Sequence, residues 1–131
     1  MQIARGTIKH EHWNEKPYHE APPQKSTMAD IKAILDGDLV AEAQTNFLLQ
    51  YPSETDAHYA GYLLVDGTLG GKRGTFMIYE MGTWEHGVAT SRWEIVKGSG
   101  TGALSGIEGS GSYAAEHDKT VHYELSYALP V

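Results

Sequence analysis

Residues 39–51 read LVAEAQTNFLLQY. Its odd positions, Leu39, Ala41, Ala43, Thr45, Phe47, Leu49 and Tyr51, are apolar or aromatic apart from one threonine, while Glu42, Gln44, Asn46 and Gln50 stand between them. A period of two over this length belongs to a half-buried β-strand; a helix would repeat its apolar positions every three to four residues. The same alternation predicts further strands at 3–13, 27–35, 58–65, 74–81, 88–96, 110–115 and 120–129. One segment has a rival reading: in STMADIKAILDGD (26–38), Met28, Ile31, Ile34 and Leu35 also fall at helical spacing. Turn-forming DGD (36–38), YPSETD (51–56), LGGKRG (69–74) and EHG (85–87) separate the runs, so the strands follow one another as a meander of hairpins. About eight sequential antiparallel strands must stack as a sandwich or close as a barrel, and closure removes the exposed edges. The expected fold is all-β with little helix: one eight-stranded antiparallel barrel.

A chain of 131 residues suffices for one hydrophobic core and one domain over 1–131. It contains no cysteine, which excludes disulfides, thiolate catalysis and thiolate zinc sites. Ten Lys and Arg against 17 Asp and Glu give a net charge of −7, the wrong sign for a nucleic-acid or anionic-membrane surface, so neither partner is expected. The start, MQIARGTIKH, lacks an apolar run after its basic residues, and no stretch is long and apolar enough to span a bilayer. A cytoplasmic protein is the expectation.

VKGSGTGALSGIEGSGSY (96–113) holds six of the 15 glycines and invites a phosphate-loop reading. It fails as a dinucleotide fingerprint because Ser105 replaces the third glycine after Gly100 and Gly102, and no helix follows. DGTLGGKR fails as a phosphate-binding P-loop because Asp66 and Arg73 stand where a glycine and a Ser or Thr are needed. What the stretch does match is the chain itself: Gly67-x-Leu69-x-Gly71-x-x-Gly74 recurs as Gly102-x-Leu104-x-Gly106-x-x-Gly109. The expected unit is a hairpin whose glycines supply positive φ and whose leucine plugs a barrel end.

WNEKPYHE, GTLGGKRGTF, GSGTGALSGIEGSGSY and HYELSYALP together resemble the bacterial family catalogued as domain of unknown function 3224, over nearly the whole chain. That resemblance implies an allene-oxide-cyclase-like β-barrel, often a homo-oligomer, with no assigned reaction. The family pattern carries a histidine where this chain has Glu80.

An eight-stranded barrel leaves room for packed side chains or one small ligand. The face assigned inward carries Phe47, Leu49, Tyr51, Phe76, Ile78, Trp93, Tyr123, Leu125 and Tyr127, either a packed core or the lining of a pocket for a small apolar or aromatic metabolite. Trp13, Phe47, Tyr51, Tyr59, Phe76, Trp93, Tyr123 and Tyr127 are the candidate ligand-binding residues. Glu80 continues the face of Phe76 and Ile78, where desolvation would make it a general acid or base, unless the strand leaves the core there and Glu80 meets water. Glu15, with Trp13 in HWNEKPY at the end of the first strand, is the second catalytic candidate, unless it is only a loop charge. Proton-transfer chemistry of the isomerase or cyclase kind would need no cofactor, with Tyr59, Trp93 and Tyr123 holding the substrate. Arg92 and Glu94 fall opposite Trp93 as a solvated stripe. His10 and His12, on one face of a regular strand, offer a metalloenzyme reading, but no ligating glutamate or third histidine follows in pattern. His58, His86 and His117 are placed in turns, His19 in a Pro-rich loop and His122 on a polar face. A third reading is a structural or oligomerisation module with a packed barrel.

Overall fold

The computed structural model describes residues 1–116 and 120–130. Eight strands, β1 (Gln2–Ala21), β2 (Gln24–Gly37), β3 (Leu39–Tyr51), β4 (Ala57–Leu69), β5 (Lys72–Glu85), β6 (Val88–Ile95), β7 (Glu108–Glu116) and β8 (Val121–Ala128), follow in chain order around a closed antiparallel barrel. Closure comes from β8 pairing back to β1, from Gln2 opposite Tyr127 to Ile8 opposite Val121. A single 3-10 turn, Gly102–Leu104, is the only helical element among the described residues, and no helix is long and apolar enough to cross a membrane.

The alternation read from residues 39–51 holds throughout: Leu39, Ala41, Ala43, Thr45, Phe47 and Leu49 are buried and the residues between them exposed. The helical alternative at 26–38 is overturned. Thr27, Ala29, Ile31, Ala33 and Leu35 are buried while Met28 is exposed, because β2 is paired along both edges and only a two-residue period buries one face of such a strand.

The barrel has two unlike halves. In the end that receives the start of β1, Leu35, Leu39, Val65, Leu69, Phe76, Ile78 and Leu125 are fully buried and pack solid. The segment between β6 and β7 folds over this end, with Leu104 and Ile107 inserted as plugs. Thr101 is laced to Thr75 by a backbone bond of 2.8 Å, and Gly74 must be glycine because an added Cβ would stand 2.1 Å from the Thr101 carbonyl oxygen. Of the two glycine repeats, Gly67–Gly74 is the β4–β5 hairpin, as expected, but Gly102–Gly109 is not a hairpin: it holds the 3-10 turn and its exit into β7. The leucine expectation survives, since Leu69 and Leu104 are both fully buried at this end. The opposite end is open.

β1 also departs from the regular strand expected. Glu11 is unpaired between His10, opposite Ala33, and His12, opposite Lys32. This bulge moves the inward set from even positions, Ala4, Ile8 and His10, to odd ones, Trp13 and Glu15, although His10 and Trp13, at the open mouth, keep much of their surface in solvent. His10 and His12 therefore do not share a face, and the geometry behind the metalloenzyme reading is gone; among the described residues no three His, Asp or Glu side chains gather as a metal group. His19 lies within β1 rather than in a loop, because β1 runs on well past Trp13, and His58 lies at the start of β4, where the alternation itself begins, rather than in the turn before it. His86 does sit in a turn, and His117 lies outside the described residues.

Candidate functional site

The open end of the barrel forms a cup of about 590 Å³. Phe47, Leu49 and Tyr51 come from β3, Tyr59 from β4, Trp84 from β5 and Tyr113 from β7, each an inward position of its strand, with His10, Trp13 and Glu15 from β1 completing the wall. The space exists because three inward positions, Ala57, Ala89 and Ala115, carry only a methyl group. Large side chains there would extend the packed half to the rim.

Glu80 lies beneath the floor. It is 2% exposed and inward on β5, so the strand does not leave the core there. Three donors converge on its carboxyl: Trp93 Nε1 at 2.8 Å on Oε1, and Ser91 Oγ at 2.8 Å and the Tyr113 hydroxyl at 2.7 Å on Oε2. Burial pushes its carboxyl above the usual glutamate range, while the bonds from Tyr113, Ser91 and Trp93 pull the other way; burial wins. The Ser91 hydroxyl, which donates to Oε2, is also hydrogen-bonded to the Tyr59 hydroxyl, so the network runs from Glu80 through Ser91 to Tyr59 as well as directly to Tyr113. Gly82 makes room for this chain: a Cβ at that position would lie 2.6 Å from the Tyr59 hydroxyl. Glu80 thus communicates with the cup through Tyr59 and Tyr113, both of which line it. Burial raises both phenols above their ordinary values, so they stay protonated donors.

A small void of about 20 Å³ separates cup and packed half, walled by Glu80, Trp93, Tyr113, His10 and Thr45 among others. The buried Thr45 hydroxyl has no hydrogen-bond partner among the described residues. His10 lies edge-on to Trp13, their rings 5.7 Å apart, and burial lowers its imidazole below the ordinary value, favouring the neutral form.

Glu15 marks the rim. Its carboxylate accepts from Trp13 Nε1 at 3.0 Å, Thr27 Oγ1 at 2.7 Å and the Tyr51 hydroxyl at 2.5 Å. Burial raises its carboxyl, but the bonds from Tyr51, Thr27 and Trp13 and the nearby Lys25 outweigh that and hold it below the usual range, charged. The two candidate glutamates are therefore set apart by environment, one raised by burial under the floor and one held low at the rim.

Of the expected binding residues, Trp13, Phe47, Tyr51 and Tyr59 meet in the cup and Trp93 borders the void below it. Phe76, Tyr123 and Tyr127 are inward but belong to the packed half: Phe76 is fully buried, the Tyr123 hydroxyl bonds to the backbone of Asp36 and Leu39, and that of Tyr127 to Gln2 at 2.9 Å. Alternation fixes the face of a side chain but not its height along the barrel, which the stagger of the strands decides. Trp84, Ser91 and Tyr113 were missed, and His10 was read only as a metal ligand with His12, not as part of the cup wall. Tyr113 lay in a glycine-rich strand with weak alternation, and Ser91 is a small polar residue at an inward position, a signal that its phase with Trp93 could have supplied. Arg92 and Glu94 are on the outside, as expected.

The family described as Protein of unknown function (DUF3224) matches residues 4–127. A crystal structure of a protein with unknown function from that family, from Shewanella oneidensis MR-1, is similar over 100% of this chain and 99% of that one, with a TM-score of 0.81 and 20% identity, a likeness of fold. No curated protein matches.

Proposed function

We propose, from the premise that the chain belongs to the family described as protein of unknown function DUF3224, that its barrel binds one small, largely apolar and planar molecule in the open cup. The observation that carries this is the cup itself: about 590 Å³ walled by aromatic rings and kept open by three alanines, above an otherwise packed core. Such a volume suits a ligand of a few fused rings, stacked on Trp13, Tyr59 or Trp84 and oriented by phenol hydroxyls. A packed structural barrel gains nothing from leaving that space unfilled.

A second reading rests on the chain from Glu80. An isomerisation or cyclisation that takes a proton from one ligand atom and returns one to another needs no cofactor, and two hydroxyls joined to one carboxyl serve both ends of that transfer. Tyr59 and Tyr113 are the groups that would touch substrate; Glu80 holds the proton behind them and acts as a positioning residue.

The test uses Nile red, a neutral planar dye, titrated against the protein and followed by dye emission and by quenching of Trp13 and Trp84. Binding at one dye per chain that is lost in Ala89→Trp, with an unchanged far-ultraviolet spectrum, supports the cup. No binding, or equal binding to the filled variant, overturns it.

A further inference from the structure

We infer, on the premise that the cup is the ligand site, that the small void beneath its floor is a subsite for one neutral hydroxyl group, so that the ligand is a planar alcohol or phenol seated hydroxyl first. The observation behind this is Thr45. It is inward on β3, 9% exposed, and stands in the wall of the void, between the apolar inward residues Ala43 and Phe47. Its hydroxyl has no hydrogen-bond partner among the described residues. A buried hydroxyl without a partner is destabilising, and a valine would fill the same space without one. The hydroxyl is therefore of use to a group that reaches it from outside the chain. Such a group has a short way to come: His10, Phe47 and Tyr113 stand in the walls of both the cup and the void, so one layer of side chains divides the two.

Size and polarity select the group. The void measures about 20 Å³, room for one oxygen-sized group, since a water molecule needs ~10–15 Å³. A carboxylate or phosphate brings several oxygens and a charge, and among the described residues the wall holds no Lys or Arg to compensate it. An ammonium brings three hydrogens that each need an acceptor. A hydroxyl matches what is there: it accepts from Thr45 and gives its own hydrogen to a neighbour. Glu80 Oε1 accepts from Trp93 alone, whereas Oε2 takes both Ser91 and Tyr113, so one lone pair on Oε1 remains. The imidazole of His10, lowered towards its neutral form, offers a second acceptor. A ketone oxygen would accept from Thr45 but set its own lone pairs against these two.

The experiment is equilibrium dialysis of the full chain against 2-naphthol, 2-methylnaphthalene and 2-naphthoate, which share one planar body and carry a hydroxyl, a methyl group or a carboxylate at the same position. The expected result is one 2-naphthol per chain, held about 10-fold or more tighter than either of the others. Thr45→Val, similar in size and strand-favouring, should bring 2-naphthol to within about 2-fold of 2-methylnaphthalene and leave Nile red binding unchanged. Thr45→Ser keeps the hydroxyl and should keep the preference, which covers the case of a valine variant that fails to fold. Nile red binding together with equal affinity for 2-naphthol and 2-methylnaphthalene overturns the hydroxyl subsite and leaves the cup standing; 2-naphthoate binding as tightly as 2-naphthol does the same. A preference that survives in Thr45→Val also overturns it, since the void is then a water site and the ligand hydroxyl lies elsewhere. Failure of every probe, Nile red included, overturns the cup and this inference with it.

Discussion

Glu80 and Glu15 respond to pH in opposite senses. Burial holds Glu80 above its unfolded value, so the protonated folded form stabilises the protein fully below the ordinary glutamate range, about pH 4.3, and that contribution is lost as pH rises through the folded value. Glu80→Gln mimics the protonated form and does not titrate; its melting temperature relative to the parent should therefore climb as pH rises above about pH 4.3. A flat difference in scanning calorimetry would contradict the burial argument. Glu80→Ala instead strands the donors of Trp93, Ser91 and Tyr113 and should cost about 3 kcal/mol or more by urea unfolding. For Glu15 the folded value is lowered, so its contribution is present above the unfolded range and disappears as pH falls; Glu15→Gln should be weaker than the parent near pH 7 and converge with it towards about pH 3. That glutamates at 15 and 80 were the titratable residues to watch was legible in the sequence, from their phase with Trp13 and with Phe76 and Ile78. Their partners were not, because Tyr51, Thr27, Ser91 and Tyr113 arrive from other strands.

Among the elements, the first strand carries the least expected feature. Because Glu11 is unpaired, deleting it should leave the β1–β2 register intact and Trp13 and Glu15 inward, at a cost under about 1 kcal/mol. Deleting the paired Asn14 turns Glu15 outward and Lys16 inward, and should destabilise by about 3 kcal/mol or more. Equal costs in denaturant titrations would show that the bulge does not set the face. Alternation could not reveal the bulge, since the polar run KHEHWNEK reads acceptably in either phase. The plug between β6 and β7 makes a simpler claim: Leu104 is fully buried, so Leu104→Ala should cost about 2–5 kcal/mol.

Over the whole molecule, the charge of −7 is self-repulsion that the folded state concentrates. Raising sodium chloride from about 10 to 500 mM shortens the screening length from about 30 Å to under 5 Å and should raise the melting temperature. A fall would mean that attractive pairs such as Arg73–Asp66 outweigh the net charge. The exposed sites of these pairs argue for a rise. The division into a packed and an open half is likewise a property of the whole barrel, in which one end is covered by the 96–107 segment while the other is ringed by alanines and aromatics.

Sequence alone determined the strand count, the antiparallel order, which residues of most strands face inward, and that the glycine-rich stretches are architecture, because a two-residue period and turn-forming residues act within a few residues of each other. Tertiary structure decided what depends on several strands at once. It set the height of each inward side chain, and so separated Tyr59 in the cup from Tyr123 in the core. It turned His12 away from His10, and it brought Ser91, Trp93 and Tyr113 onto Glu80. Those outcomes follow from the stagger of a closed barrel and one bulge, and neither leaves a periodic mark in any single strand.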